Sequence, residues 1–292
     1  MELFEADLAH FATDWRLSDK AESTIQEYLR QLRKYNAWCA ERNVQTLSMH
    51  SAKAWLVEVK ARSISVAYLA SRAIKAFGRW YENEEYGEDP FKAVKFVKQT
   101  KTAPQRTASV SDVAKMLLVC GSDVKGLRDR ALISVLAATG MRRSEVGRMA
   151  WSDIDFNKGG VVVPLTKSGH SRTARLDRDA QRALRRYSAA LEPWELDHNR
   201  EPFEEVWVST SRRCPLSSNG ISQVIAERAR QAGVDISSHS FRRGFAVRWL
   251  RLGGSESYLR EVAGWESPRM VSKYVRAVAS EEALAEHERL FG

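Results

Sequence analysis

The chain has 292 residues, enough for one large domain or two modest ones. Hydrophobic residues make up 43% and charged residues 28%, which excludes a mainly disordered or fibrous protein. There are 46 Lys and Arg against 37 Asp and Glu, and the net charge of +9 favours a polyanionic partner such as nucleic acid. A solvated basic surface is the alternative, and composition alone does not separate the two.

The cysteines and the apolar runs bear on the compartment. Cys39, Cys120 and Cys214 are scattered and lack the spacing of metal-ligand pairs, which favours a reducing compartment over a disulfide scaffold or a zinc site. No run of 18 apolar residues is present, and the first ten residues do not pair a basic segment with an apolar one. We therefore expect a cytoplasmic protein with neither a membrane span nor a secretory signal.

The N-terminal third carries helical spacing of apolar side chains and no strand pattern. The periodicity predicts four helices, over 2–16, 22–42, 51–60 and 65–84. Ser23 and Thr24 suit the N-cap of the second helix, and Pro90 lies in the break after the fourth. These elements predict a small helical domain over residues 1–96.

A change in composition follows this domain. Residues 97–107 are polar and basic and contain Pro104, which predicts an interdomain linker. Residues 1–100 hold 15 basic and 14 acidic residues, whereas residues 101–292 hold 31 and 23. The positive charge is therefore concentrated in the segment that we predict to be the second domain, residues 108–292.

The second domain combines helical periodicity with one strand pattern. Two β-rich runs, GGVVVPL and SRTARL, flank the turn sequence KSGH and predict an antiparallel hairpin, and a short strand is expected at 205–209. The predicted helices cover 109–120, 126–139, 178–190, 217–232, 239–252, 256–263, 267–276 and 281–290. The expected fold class is mainly α: a helical N-terminal domain followed by an α+β domain of mostly helices with a small antiparallel sheet.

Two arginines, Arg142 and Arg143, follow Gly140 at the start of a predicted helix. The helix dipole places positive charge at this end, so arginine there favours a bound anion such as phosphate. Glu145 lies three residues after Arg142, where it can orient the guanidinium group. A surface ion pair is the alternative interpretation.

Three further segments carry side chains suited to phosphate chemistry. Lys167 lies on the hairpin turn, where a lysine can reach a site and donate a proton. His239 and Arg242 share one face of a predicted helix, which suits phosphate binding, although a structural histidine is the alternative. Trp265 precedes the start of a later helix and Tyr274 lies inside it. The tyrosine, taken alone, is more typical of packing.

Together these segments resemble the tyrosine recombinases, also called the phage integrase family. The family pattern is an Arg with a Glu three residues on, a hairpin Lys, His-x-x-Arg, a His or Trp, and a Tyr nine residues later. The chain fills every position in order, with Arg142, Glu145, Lys167, His239, Arg242, Trp265 and Tyr274. Residues 1–96 resemble the family's core-site-binding domain, so the resemblance spans nearly the whole chain. Many members have histidine in place of Trp265, but some carry tryptophan.

The resemblance implies that the protein cleaves and rejoins DNA through a 3′-phosphotyrosine on Tyr274. It implies that Arg142 and Arg242 hold the nonbridging phosphate oxygens and stabilise charge in the transition state. Glu145 would support Arg142. The phosphate bond energy would be kept in the tyrosyl ester, so rejoining would need no ATP.

The resemblance also assigns the proton transfers. Lys167 would protonate the 5′-oxygen leaving group, and His239 would act on the proton of Tyr274 and hydrogen-bond the phosphate. Trp265 would donate from its indole nitrogen to a phosphate oxygen. No cofactor and no metal ion are expected.

The partners that the resemblance implies are double-stranded DNA with core-type attachment sites and three further copies of the chain, in a tetramer on two sites. An accessory DNA-bending or directionality factor is compatible with it. We expect a site-specific recombinase that integrates and excises a phage or mobile element. The alternatives are a Xer-like resolvase of replicon dimers, a relative of type IB topoisomerases, and a DNA-binding protein with a vestigial site.

Two expectations concern the ends of the chain. Because the helical pattern begins at residue 2, we expect a compact form without an arm-binding domain. Residues 281–292 predict a short amphipathic tail helix that is too short to be stable alone. It is expected to dock either on its own catalytic domain or on a neighbouring protomer.

Overall fold

The computed structural model describes residues 2–98, 106–163, 171–198, 201–265 and 267–291. The chain forms two compact units, Met1–Ala103 and Pro104–Gly292. Both are mainly helical, and the small antiparallel sheets lie in the second, which confirms the predicted fold class. Within the described ranges, no helix is long and apolar enough to cross a membrane.

The first unit contains the four predicted helices, each within two residues of the predicted ends. They are α1 Glu2–Leu17, α2 Glu22–Glu41, α3 Met49–Arg62 and α4 Ile64–Asn83. The capping prediction at Ser23 or Thr24 is wrong, because α2 begins after Ala21 and no side chain caps it. By contrast, Ser48 caps α3 and Ser63 caps α4 through hydrogen bonds from backbone amides.

Aromatic side chains form the core of the first unit. Phe11 of α1 packs edge-on against Phe77 and Trp80 of α4, with ring centroids 5.6 Å apart in both pairs. Both phenylalanines are fully buried, and each such burial contributes roughly 1.5–3 kcal/mol. The indole nitrogen of Trp80 donates to Oδ2 of Asp14 at 2.6 Å, so α1 is fixed to α4 by packing and by one buried polar contact.

The chain that follows α4 stays bound to this helix as far as Val97. Nζ of Lys75 donates to the carbonyl of Val94 at 2.9 Å, and the amide of Val97 donates to Oγ of Ser71 at 3.2 Å. The side chain of Val94 is buried. The first unit therefore includes the first residue of the predicted linker, of which residues 99–105 lie outside the described ranges.

The described part of the second unit holds a helical framework and two small sheets. The helices are α5 Val110–Leu118, α6 Val124–Thr139, α7 Arg143–Val146, α8 Arg178–Asp197, α9 Ser218–Gln231, α10 Ser238–Arg251, α11 Glu256–Ala263 and α12 Pro268–Phe291. The strands are β1 Ile154–Asp155, β2 Gly160–Val163, β3 Arg172–Arg175, β4 Val208–Ser209 and β5 Cys214–Pro215. Strands β1, β2 and β3 form one antiparallel sheet, and β4 pairs with β5.

Helix α6 is the centre of the second core. Leu132, Val135 and Leu136 have no exposed surface, because α8 and α10 pack against this helix. The predicted hairpin is confirmed as β2 and β3, with Val161 opposite Ala174. The turn between them, residues 164–170, lies outside the described ranges.

A buried ion pair network joins α6 to α9. Asp129 accepts from Arg128 at 2.6 Å and from Arg228 at 2.8 Å, and all three side chains are at least nine-tenths buried. A buried carboxylate is tolerated only when paired in this way, and loss of one partner typically costs about 3–5 kcal/mol. The network therefore fixes the helices that surround the candidate site.

Two predicted helix ends are wrong. Helix α8 continues through Pro193 to Asp197 instead of ending at 190, because its buried face extends to Leu191 and Glu195. That packing outweighs the hydrogen bond that proline removes. The two helices predicted over 267–276 and 281–290 are one continuous helix, α12. The residues between them include neither Gly nor Pro, so Ser280 marked a cap that the chain does not use.

Candidate active site

The site begins at the turn that ends α6. Gly140 has a left-handed backbone conformation with φ of +58°, and a Cβ there would lie 2.7 Å from the ring of Phe245. Only glycine fits both the conformation and the space. The Gly140 carbonyl accepts a hydrogen bond from Nη1 of Arg242 at 2.9 Å. The turn therefore leads the chain into Arg142 and also binds a second arginine.

Glu145 is a buried carboxylate with both oxygens engaged. Oε1 accepts from Nη1 of Arg142 at 2.7 Å, and Oε2 accepts from the Arg142 amide and from Nη2 of Arg172, both at 2.7 Å. Burial alone raises the pKa of Glu145, but the hydrogen bonds from Arg142 and the charge of Arg172 outweigh it and lower the pKa. Glu145 is therefore ionised at neutral pH and binds both the amide and the guanidinium of Arg142.

The C-terminal end of α11 binds two arginines. Nη2 of Arg242 donates to the Ala263 carbonyl at 2.6 Å, and Nη2 of Arg142 donates to the Gly264 carbonyl at 2.7 Å. Carbonyl groups at this end of a helix carry partial negative charge and stabilise guanidinium groups. Burial lowers the pKa of Arg242 to about 10, and Arg242 remains protonated at neutral pH. Backbone contacts thus hold both cations in place.

Arg242, Trp265 and Tyr274 form a stack. The Arg242 guanidinium lies 4.9 Å from the centroid of the Trp265 ring, and the Trp265 and Tyr274 rings are nearly parallel with centroids 5.2 Å apart. Trp265 is buried, and within the described part of the chain its indole nitrogen has no hydrogen-bond partner. Burial raises the pKa of Tyr274, although Arg243 and Arg242 oppose the shift, so the phenol keeps its proton at neutral pH.

Tyr274 and His239 line the same cavity, which has a volume of about 680 Å³. His239 lies at the exposed rim. Its partial burial and the positive charges of Arg243 and Arg242 lower its pKa. The imidazole is therefore neutral near pH 7 and can accept a proton.

The structure brings six of the seven predicted site residues into one region, namely Arg142, Glu145, His239, Arg242, Trp265 and Tyr274. Lys167 lies outside the described residues. Across the ranges that the structure describes, no group of three or more His, Cys, Asp or Glu side chains is placed to hold a metal ion.

Sequence reasoning missed two parts of this site. Arg172, the first residue of β3, binds Oε2 of Glu145, the oxygen that also accepts from the Arg142 amide. The two-residue alternation of β3 could have indicated that Arg172 points inward, since it falls on the same face of the strand as the buried Ala174. Gly264 was also given no role, although its φ of +63° and the contact of its backbone with Arg172 exclude a larger residue.

Arginines that the backbone holds in place beside a buried tyrosine are suited to binding a phosphate group. Residues 107–281 match the model of the phage integrase family. This match covers more than half of the chain, and the chain belongs to that family. It is a tyrosine-type site-specific DNA recombinase.

The named relatives have low sequence identity to this chain. The chain is 26% identical over 276 residues to tyrosine recombinase XerA of Pyrococcus furiosus, with 93% of this chain and 90% of the relative covered. It is 26% identical over 254 residues to tyrosine recombinase XerD of Halalkalibacterium halodurans, with 84% and 83% covered. These relatives align over both units.

Solved structures share the fold. A lambda integrase tetramer bound to a Holliday junction matches with a TM-score of 0.69 at 17% identity, covering 92% of this chain and 76% of that one. The crystal structure of XerA recombinase matches with a TM-score of 0.52 at 21% identity, covering 97% and 98%.

Proposed function

We propose that the chain cleaves and rejoins duplex DNA through Tyr274. The observation that carries this proposal is the position of the tyrosine. Its ring stacks on Trp265, which lies beneath the Arg242 guanidinium, and its other side faces the cavity that His239 lines. A nucleophile, a neutral base and a fixed cation therefore meet at one place, as covalent catalysis on a phosphodiester requires.

The cleavage step follows from the protonation states. The Tyr274 oxygen forms a bond to phosphorus, and the bond from phosphorus to the 5′-oxygen breaks. The phenol is protonated at neutral pH, so its proton passes to His239, whose lowered pKa leaves it free to accept. Lys167 gives a proton to the departing 5′-oxygen. The products are a 3′-phosphotyrosine and a free 5′-hydroxyl.

Charge stabilisation comes from the two arginines that the backbone holds. Arg142 and Arg242 bind the nonbridging oxygens with guanidinium groups that need no reorganisation, because Glu145 and the end of α11 already fix them. Trp265 makes a third contact with the phosphate by donating a hydrogen bond from its indole nitrogen to a phosphate oxygen. Rejoining is the reverse reaction by a new 5′-hydroxyl, and it needs no ATP because the ester keeps the bond energy.

Two copies of the site must act on two duplexes for strands to be exchanged. Related structures are a lambda integrase dimer bound to a core site and a tetramer bound to a Holliday junction. We therefore propose that residues 1–96 bind core-type sites, that 97–107 link them to the catalytic residues 108–292, and that four copies assemble on two sites. The exposed Leu290 and Phe291 at the end of α12 are candidate contacts between copies.

Two biological roles fit this chemistry. Integration and excision of a phage or mobile element is the role expected from the sequence. Resolution of replicon dimers is the second candidate, and it is favoured by relatives named XerA, XerC and XerD that align over most of their length. A plasmid carrying two directly repeated sites distinguishes them: a resolvase recombines identical sites, whereas an integrase requires two different partner sites.

The proposed chemistry is tested by capture of covalent complexes from a library of duplexes, followed by sequencing of the bound DNA. The wild-type chain is expected to enrich one short site, and Tyr274→Phe is expected to bind that site without forming adducts. The matched control is Tyr258→Phe, since Tyr258 is exposed on α11 and should be dispensable. Adducts that persist in Tyr274→Phe would assign the nucleophile elsewhere.

A further inference from the structure

Arg172 occupies an unusual position for an arginine in a short strand. It is the first residue of β3, and its side chain is 9% exposed. Nη2 donates to Oε2 of Glu145 at 2.7 Å, on the carboxylate that also binds Arg142. Arg172 therefore belongs to the same hydrogen-bonded unit as the arginine assigned to the phosphate.

The remaining donors of Arg172 are not satisfied. Nε and Nη1 are buried and have no hydrogen-bond partner among the residues that the structure describes. The guanidinium lies against the turn after α11. Its Nε is so close to Gly264 that a Cβ on that residue would be only 2.7 Å away. A buried donor without a partner costs about 1–3 kcal/mol, and more when it is charged. A role in packing alone would not explain why a residue with two such donors occupies this place.

The charge of the cluster points to the missing acceptor. Two guanidinium groups, those of Arg142 and Arg172, bind the Glu145 carboxylate, and the charge of Glu145 also acts on the nearby Arg242. Burial lowers the pKa of Arg172, the charge of Glu145 opposes that shift, and the charge of Arg142 adds to it. Three cations near one carboxylate leave the cluster with uncompensated positive charge. The indole nitrogen of Trp265 is a third buried donor without a partner in the same region. An anion with several oxygens satisfies all of these groups at once.

We propose that Arg172 is a third arginine for the reacting phosphodiester, in addition to the two that the family pattern assigns. Nη2 keeps Glu145 in place, while Nε or Nη1 donates to a phosphate oxygen once the guanidinium turns away from Gly264. Its positive charge stabilises the additional negative charge that develops as Tyr274 attacks. This inference rests on the proposed function.

The competing explanation is purely structural, with Arg172 doing no more than holding Glu145 in position. The two explanations differ in their dependence on the charge of the substrate. A methylphosphonate at the cleaved position replaces one charged oxygen with a methyl group, so it needs less positive charge from the protein. A charge-stabilising arginine becomes less important on that substrate, whereas a structural arginine remains equally important.

The test measures single-turnover formation of the covalent adduct on a diester duplex and on its methylphosphonate analogue. Arg172→Gln is expected to lose roughly 10²-fold in rate on the diester, the magnitude found for removal of one transition-state donor. The loss on the methylphosphonate should be at least about ten times smaller. The matched control is Arg175→Gln on the same strand, because Arg175 is exposed and bonds only the Lys158 carbonyl among the contacts described.

Equal losses on the two substrates, or an unchanged rate on the diester, would overturn the inference. If Arg172→Gln lowers the folded fraction, the same comparison is made with Arg172→Ala in the presence of added guanidinium ion. Guanidinium should restore diester cleavage more than methylphosphonate cleavage, and equal restoration would contradict the proposal. A wild-type chain that forms no adduct would overturn the proposed function together with this inference, whereas full activity of the variants would overturn this inference alone.

Discussion

Replacement of Glu145 by glutamine should remove the negative charge that holds two arginines in place. The substitution keeps the size of the side chain and one oxygen acceptor. It removes the negative charge and places an amide group against guanidinium donors. Arg172 then loses its charged partner while its side chain is only 9% exposed, whereas Arg142, at 36%, can turn toward solvent.

The magnitude follows from this burial. Removal of one member of a buried ion pair costs about 3–5 kcal/mol, and the retained acceptor reduces the expected loss to roughly 2–4 kcal/mol. For a unit of this size each kcal/mol lowers Tm by about 2–4 °C, which gives a decrease of roughly 4–16 °C. Adduct formation should fall by about 10²-fold or more, because Arg142 no longer points at the phosphate.

The dependence on pH provides a second signature. Because the folded pKa of Glu145 is lowered from its ordinary value of 4.5, its contribution to stability is complete above that value and is lost as pH falls through the folded pKa. Thermal unfolding from about pH 7 to about pH 2 should show a constant difference between wild type and Glu145→Gln above about pH 4.5, and a difference that shrinks as the pH falls further. The control is Glu227→Gln, since Glu227 forms an exposed pair with Arg230 on α9 and should leave Tm unchanged. A Glu145→Gln protein with wild-type Tm and wild-type cleavage would refute the reasoning.

Three other changes test separate parts of the site. His239→Asn should slow adduct formation. In wild type the rate should decline at low pH because His239, whose pKa is lowered, becomes protonated and no longer accepts a proton, and the variant should lose this decline. A variant whose pH-rate profile still declines at low pH would argue against this role. Lys167→Ala should lose cleavage of an ordinary duplex and recover it with a 5′-thio leaving group, which needs no proton, and a gel assay that shows no recovery would remove the general-acid role. Deletion of residues 281–292 removes the exposed Leu290 and Phe291. Band-shift assays should then show normal binding to a single site and a loss of complexes that hold two sites together. Normal formation of two-site complexes would exclude docking of this segment on a neighbouring copy.

Local patterns predicted the helices well because tertiary packing here agrees with them. The first four helices follow from apolar spacing, and the hairpin follows from β-rich runs around a turn sequence. The errors occur where packing overrides a local rule, as at Pro193, or where a capping residue such as Ser280 is present but unused. Such outcomes depend on neighbours that one-dimensional periodicity does not reveal.

The site was predictable as a set of residue types but not as an arrangement. Spacing linked Arg142 to Glu145 and His239 to Arg242. It did not link Arg242 to the carbonyls that hold it, those of Gly140, 102 positions away, and Ala263, 21 positions away. The same limit applies to Arg172. Its partner is 27 positions away in sequence, and only the fold brings the two together.

The central claim is that Tyr274 becomes covalently joined to DNA, and peptide mapping of the adduct tests it most directly. The covalent complex would be trapped on a nicked duplex, digested with nuclease and protease, and analysed by mass spectrometry. We expect a nucleotide attached through its 3′-phosphate to the peptide that contains Tyr274, and none on the peptide that contains Tyr258. A modified residue other than Tyr274, or attachment through a 5′-phosphate, would contradict it.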